Sequence, residues 1–203
     1  MNNKYRELIN EISDRELMFH LLATQAILSV VSFVVGIFLF DSYTDFQSLF
    51  IWNDIRIIYI GGLVGVLIVL VDIFFMKVLP KSYYDDGGLN EKLFKNKSII
   101  QIAFIAAMVA ICEEILFRGV LQTHFGLVIT SIIFALVHYR YLFNAFLFIN
   151  IMALSFLIGF IYMKTENLAV TIFMHFIIDF LLGLKLRYSN RNGLREQEGI
   201  IHD

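Results

Sequence analysis

The chain has 203 residues, of which 59% are hydrophobic, and it contains 21 phenylalanines but a single proline. Its mean hydropathy of +0.74 is not that of a soluble domain, since such domains are about 45–50% apolar and spread their hydrophobic residues over short runs. The formal net charge is −2 and no basic stripe occurs, so a nucleic acid is not an expected partner.

The apolar residues form blocks of about 20 residues, the length that crosses a bilayer as a helix. They predict an all-α, polytopic membrane helix bundle with about six transmembrane helices. Residues 1–16 read as an amphipathic lead-in, and the apolar run that follows has no small-x-small cleavage pattern, so we interpret it as a retained span. The spans are predicted at residues 17–40, 57–79, 99–117, 120–138, 142–163 and 168–184.

The longest polar segment between spans divides the chain into a two-helix leader with its loop (residues 1–98), a four-helix core (residues 99–186) and a polar C-terminal tail (residues 187–203). With six spans, 13 of the 16 basic residues fall on the side of the termini. The positive-inside rule then places both termini in the cytoplasm. The short leader and loops indicate an integral protein of a bacterial plasma membrane.

Three ionisable residues, Glu113, Glu114 and Arg118, fall at the end of the apolar run that begins near residue 99. Charges at such a depth are costly, so an ionisable residue inside the membrane is a functional-site hypothesis. The alternative is a helix end that reaches the headgroups, with Glu114 and Arg118 as an i,i+4 surface pair. Cys112, beside the acidic pair, is interpreted as a packing residue rather than a metal ligand.

Two later spans add further ionisable residues. His138 lies at the end of one, and His175 lies in the middle of another with Asp179 one turn further along the same helix face. Because lipid offers such a face no hydrogen-bond partner, the face must point into the bundle. We therefore expect six residues to meet in one wet cavity: Glu113, Glu114, Arg118, His138, His175 and Asp179.

Two chemistries fit such a cavity. Glu113 could take a proton from a water molecule that His138 also holds, with His175 supporting an oxyanion. Alternatively, Glu113, His138 and His175 could form a zinc site with an open fourth position.

Three motifs occur in order on apolar helices: Glu-Glu-x-x-x-Arg at residues 113–118, Phe-x-x-x-His at residues 134–138, and His-x-x-x-Asp at residues 175–179. This combination resembles the CPBP family, the CAAX proteases and bacteriocin-processing enzymes that are also called the Abi family. The resemblance covers residues 99–184, and the leader carries none of it.

The resemblance implies an intramembrane endopeptidase, similar to a CAAX prenyl endopeptidase, that hydrolyses a peptide bond in a membrane-associated protein or peptide. It implies that Glu113 and His138 activate the hydrolytic water and that Arg118 fixes Glu114. It also implies that His175, together with the last residue of the third motif, stabilises the oxyanion.

The family often has asparagine where this chain has Asp179, and an ionised aspartate would instead orient His175 or bind a cation. We favour a mechanism without zinc or another cofactor, because no His-Glu-x-x-His helix is present and the carboxylates suffice without metal. The predicted spans place Glu113 and His138 near opposite ends of the bundle. The helix after Arg118 must therefore run further or break, at Gly119 or Gly126.

Two other function classes compete with the peptidase. A bacteriocin-immunity or membrane-binding protein could keep the same fold without turnover, but it need not retain all six costly residues. A transporter or proton relay could use Glu113 and Asp72, yet transporters usually show paired repeats, and the sequence has none. A structural, hydrogen-bonded role for Asp72 is an equally good interpretation.

Overall fold

The computed structural model describes residues 3–201, and side chains from residue 6 to residue 189. Every regular element in this part of the chain is helical, which confirms the all-α bundle. The elements are α1 (Asn3–Glu11), α2 (Asp14–Leu39), α3 (Tyr43–Ser48), a π-helical segment (Ile57–Gly62) that leads into α4 (Leu63–Val78), α5 (Lys81–Tyr84), α6 (Leu89–Phe94), α7 (Ile99–Glu114), a second π-helical segment (Ile115–Gln122), α8 (Thr123–Val137), a 3₁₀ segment (Tyr139–Phe143), α9 (Ala145–Thr165) and α10 (Leu168–Ile201).

Five helical stretches among the described residues are long and apolar enough to cross a membrane. They are Asp14–Leu39, Ile57–Val78, Ile99–Val137, Ala145–Thr165 and Leu168–Ser189. The third stretch has 39 residues, about twice what one crossing needs. The protein is therefore an integral membrane protein built as a polytopic helical bundle.

The third stretch is a hairpin, which corrects the predicted boundary between residues 117 and 120. The helix does not end at Phe117 but continues through the π-helical segment and reverses at Gly126, whose φ of 79° and ψ of 173° are non-helical. In a straight helix Phe117 and Phe134 would lie about 25 Å apart, whereas their ring centroids are 4.8 Å apart. Counted as two arms, the hairpin gives six helical segments in place of the six predicted spans, but the return arm of residues 127–137 is only about 16 Å long, about half of the hydrocarbon core.

The connecting segments collect at two ends of the bundle. At the end that carries α1, here called the terminal end, the side chain of Asn144 donates to the carbonyl of Ser82 and that of Arg187 to the carbonyl of Lys97. At the other end, here called the distal end, the backbone N–H of Leu168 donates to the carbonyl of Leu49. Arg118, which the predicted boundaries placed in a distal loop, lies inside the bundle instead and is fully buried.

The leader packs directly against the core. Val69 of α4 belongs to one apolar cluster with Ile158 of α9 and Met174 of α10. The π-helical segment before α4 approaches α10 so closely that a Cβ at Gly61 would lie 2.7 Å from the carbonyl oxygen of Val170. α10 connects the leader to the core, because it contacts both the leader and α7.

The C-terminal helix is longer than predicted. The sixth span was expected to end near residue 184, with a polar tail from residue 187, whereas α10 continues to Ile201. Residues 190–203 make up most of that predicted tail, and their side chains are outside the part of the chain that the structure describes.

Candidate active site

The structure brings together the six ionisable residues that the sequence singles out. Glu113 and Glu114 end α7, and Arg118 follows in the π-helical segment. His138 directly follows α8, and His175 and Asp179 lie on α10. Two chains of contacts result, one linking Arg118, Glu114, His175 and Asp179, and the other linking Glu113 and His138.

The π-helical segment places Arg118 against the acidic pair. In such a segment the backbone hydrogen bonds widen from i,i+4 to i,i+5, a local irregularity that is frequent at functional sites. The Nε of Arg118 lies 3.5 Å from Oε2 of Glu114, and both side chains have no solvent exposure. The pair is thus an ion pair inside the bundle, not the surface pair of the alternative interpretation.

Neutral polar groups complete the surroundings of Arg118. Its Nη2 donates to Oγ of Ser155 at 2.9 Å and its Nη1 to Oε1 of Gln122 at 3.2 Å. Gln122 in turn donates to the carbonyl of Gly159 at 2.7 Å. A Cβ at Gly159 would lie 3.0 Å from Nη1 of Arg118 and 2.6 Å from Oε1 of Gln122, so only glycine leaves room for this network.

Ser155, Gln122 and Gly159 were not predicted from the sequence. A signal existed for two of them, because Ser155 and Gly159 form a small-x-x-x-small pair within an apolar span, a pattern that lets another helix approach closely. Nothing in that pattern indicates that the approaching group is a guanidinium.

His175 lies between two carboxylates. Its Nδ1 is 3.0 Å from Oε1 of Glu114, and its Nε2 is 3.5 Å from Oδ2 of Asp179. The two acids reach opposite nitrogens of one ring, and the i,i+4 spacing of His175 and Asp179 on α10 is what the sequence predicted.

His138 faces the other glutamate. Its Nδ1 lies 2.8 Å from the backbone carbonyl of Phe134, and because a carbonyl only accepts hydrogen bonds, Nδ1 carries the proton. Nε2 is then the nitrogen that points to Glu113, 4.0 Å from its Oε2. This contact exists because the chain reverses at Gly126, one of the two positions at which a break was predicted.

Exposure divides the site into a closed and an open part. The side chains of Glu114 and Arg118 are 0% exposed, whereas those of His138 and Asp179 are 21% and 31% exposed. Glu113 lies between these extremes, with a side-chain exposure of 10%. The cluster is therefore accessible from the side of Glu113, His138 and Asp179, and closed on the side of the Arg118 pair.

Asp72 and Cys112 lie outside this cluster. The carboxylate of Asp72 accepts a hydrogen bond from Asn150 of α9 at 3.4 Å, which agrees with a structural role. Cys112 accepts a hydrogen bond from Ser29 of α2 at 3.3 Å. It also lines a cavity of about 510 Å³ between α2, α3, α7 and the second π-helical segment, and none of the six site residues lines this cavity.

The zinc alternative can be compared with the geometry. Among the described residues no group of three or more His, Cys, Asp or Glu side chains is arranged to hold a metal ion. Both ring nitrogens of His175 are directed at carboxylates, so Glu113, His138 and His175 do not present three lone pairs to one point as zinc requires. This side-chain arrangement does not fit the three-ligand site.

Comparison with known proteins adds independent information. Residues 95–181, which include all six site residues, match the sequence model of the Rce1-like family, described as type II CAAX prenyl endopeptidase Rce1-like. The chain is 42% identical over 167 residues to the uncharacterized protein YpbD of Bacillus subtilis (strain 168), an alignment that covers 82% of this chain and 88% of that protein. No solved structure matches the chain. The chain belongs to the CPBP family that its motifs indicate, through an Rce1-like domain at residues 95–181.

Proposed function

We propose that the protein is an intramembrane endopeptidase that hydrolyses a peptide bond in a membrane-associated protein or peptide. The observation that carries the proposal is the position of Glu113 opposite Nε2 of His138 at the accessible side of the cluster. Membership of a protease family supports a hydrolase in general. The specific reaction is inferred from the side chains.

In the proposed reaction Glu113 and His138 activate water. The 4.0 Å between Oε2 of Glu113 and Nε2 of His138 is too long for a direct hydrogen bond, and it allows one water molecule to bind both atoms. Glu113 takes a proton from this water as general base while the water oxygen attacks the scissile carbonyl carbon. The proton then passes to the leaving amine.

His175 is proposed to stabilise the oxyanion. A carboxylate only accepts hydrogen bonds, so His175 in this scheme is an imidazolium that donates from Nδ1 to Glu114 and carries its second proton on Nε2, which faces the more accessible Asp179 at 3.5 Å. The developing oxyanion replaces Asp179 as the acceptor at Nε2, and a donor placed at that point stabilises the transition state. In this scheme Asp179 orients His175 before substrate binds, which is the alternative role that an aspartate implies at this position.

The reaction is proposed to need no metal, since a base, a water-holding histidine and an oxyanion donor are all supplied by side chains. We also propose that the protein resides in a bacterial plasma membrane with both termini in the cytoplasm. The supporting observation is that α1 and the basic segment of residues 81–97 lie at the same end of the bundle, where Lys92 donates to the carbonyls of Ile9 and Asn10.

The test is cleavage of a library of membrane-anchored peptides, prenylated and unprenylated, by the purified protein in lipid vesicles. Glu113→Gln should lower the rate by about 10²–10⁴, the usual value of a general base, without loss of folded protein. The matched control is Asp72→Asn, which also neutralises a partly buried acid inside the membrane but lies outside the cluster. Peptide binding without cleavage, or equal activity of wild type and Glu113→Gln, would reject the proposal.

A further inference from the structure

His138 lies just beyond the end of its helix. It follows the last turn of α8, and its φ of −82° and ψ of 42° are not helical. Its Nδ1–H donates to the carbonyl of Phe134 at 2.8 Å, and the Phe134 ring centroid lies 4.5 Å from that of the imidazole. Because Glu113 and Nε2 of His138 are 4.0 Å apart, a small tilt changes whether one water can bind both.

Tyr141 lies against this imidazole. A 3₁₀ turn follows His138, and the backbone N–H of Tyr141 donates to the His138 carbonyl at 2.9 Å. Side chains three residues apart eclipse each other in such a turn. The two rings are accordingly almost parallel, with an interplanar angle of 5° and centroids 6.2 Å apart, within the range of interacting aromatic pairs.

Tyr141 is itself held in place. Nη2 of Arg140 donates to the phenol oxygen at 2.6 Å, and the Arg140 guanidinium lies 4.6 Å from the ring centroid. Asn90, on α6, and Asp86 lie near the phenol. Burial raises the pKa of the Tyr141 phenol above its usual value by more than the Arg140 guanidinium lowers it, so the phenol stays neutral at physiological pH.

The segment around α6 is anchored in turn to α1. Lys92 donates to the last carbonyls of α1, including that of Ile9 at 2.6 Å, and Arg6 pairs with Asp85. The segment next to Tyr141 is therefore fixed to α1 at the terminal end of the bundle.

We propose that Tyr141 is a positioning residue for His138. Its ring fixes the plane of the imidazole so that Nε2 remains directed at Glu113, and Arg140 holds the tyrosine in that position. The inference rests on the proposed function for its catalytic consequence, but the orientation of His138 can be measured without any substrate.

The experiment compares Tyr141→Leu, which removes the ring, with Tyr141→Phe, which keeps it. Tyr139→Leu is the matched control, since Tyr139 lies in the same 3₁₀ segment but is 65% exposed. The first measurement is the Cε1 resonance of His138 in protein labelled with ¹³C-histidine, assigned with His138→Gln. We expect Tyr141→Leu to move this resonance, and Tyr141→Phe and Tyr139→Leu to leave it near the wild-type position.

The second measurement is kinetic. Misplacement of a reacting group by about 1 Å can cost on the order of 10²-fold in rate, so Tyr141→Leu should lower kcat by about 10- to 100-fold with KM unchanged. Tyr141→Phe should keep most of the activity, because the ring remains. An unchanged His138 resonance in Tyr141→Leu, or an equal loss of kcat in Tyr139→Leu, would overturn the inference.

Two further variants keep the test decisive. If Tyr141→Leu does not fold, Tyr141→Met, which also removes the ring, takes its place, and the inference fails if that variant leaves the His138 resonance unmoved. If Glu113→Gln is as active as wild type, the proposed reaction is wrong. The His138 resonance in Tyr141→Leu then still decides whether the tyrosine orients the histidine.

Discussion

Replacing Gly126 with asparagine tests how the chain returns His138 to Glu113. Gly126 has φ 79° and ψ 173°, a region of backbone space that is essentially open to glycine alone and costs other residues on the order of 1–3 kcal/mol. A Cβ at this position has no heavy atom within 4 Å, so the side chain neither clashes nor gains contacts. The expected cost is therefore a backbone cost.

A change in the unfolded state offsets part of this backbone cost. Replacing glycine reduces the conformational freedom of the unfolded chain, which stabilises the folded protein by about 0.4–1 kcal/mol. We therefore expect Gly126→Asn to lower the free energy of unfolding by about 1–2 kcal/mol net. If the turn relaxes instead of absorbing the strain, His138 moves away from Glu113 and turnover falls by more than the loss of folded protein explains.

Gly88 provides the matched control. It also has a positive φ, of 84°, and a Cβ added there would also have no heavy atom within 4 Å, but its ψ of 9° is left-handed helical, which asparagine tolerates. The assay is denaturant unfolding in mixed micelles, with peptide cleavage measured in parallel. Equal stability of Gly88→Asn and Gly126→Asn would refute the argument that the Gly126 backbone forms the reversal.

Four other predictions test separate parts of the structure. Arg118→Ala strands a buried carboxylate and should cost about 3–5 kcal/mol, lowering melting temperature and activity together, whereas Glu113→Gln should lower activity alone. Dialysis against a strong chelator should leave turnover unchanged; bound zinc whose removal abolishes activity, and whose return restores it, would contradict this. Hydrogen bonds from Arg56 and then Asn167 lower the pKa of Asp54 from 3.8 to about 2. The stability that Asp54 contributes should thus be present above its unfolded pKa and lost as the pH falls through its folded pKa, so the melting temperatures of wild type and Asp54→Asn should converge in acid. Cysteine at Ser82 should resist an impermeant label in intact cells, cysteine at Tyr43 should react, and the opposite pattern would invert the topology.

That the six ionisable residues lie together could be predicted because lipid makes isolated polarity so costly. His175 and Asp179 share one helix face by spacing alone, and a face of that kind has no stable place except against other polar groups. The same argument requires Arg118 to meet a carboxylate, and Glu114 lies one turn away. The convergence of the charged residues therefore follows from their positions in the sequence and from the chemistry of the bilayer.

The backbone that achieves the convergence could not be predicted in the same way. The sequence around a glycine in an apolar run does not indicate whether its φ is positive, so Gly119 and Gly126 were equally good candidates for the break. The widened hydrogen bonding of the segment Ile115–Gln122 has no signature in composition. The uncharged partners of Arg118, such as Ser155, depend on the register between two helices, which spacing along one helix does not contain.

The two adjacent glutamates are candidates for different roles because their side chains point in different directions around the helix. Neighbouring residues on a helix point about 100° apart, so Glu113 and Glu114 cannot face the same partners. Oε1 of Glu114 faces His175 and its Oε2 faces Arg118, in a side chain with no exposure. Among the described residues Glu113 makes one close ion-pair contact, with Nε2 of His138. It also lies nearer the accessible side of the cluster. A base must have an oxygen within reach of water and substrate, so Glu113 is the better candidate for the base, and Glu114 is the better candidate for holding His175.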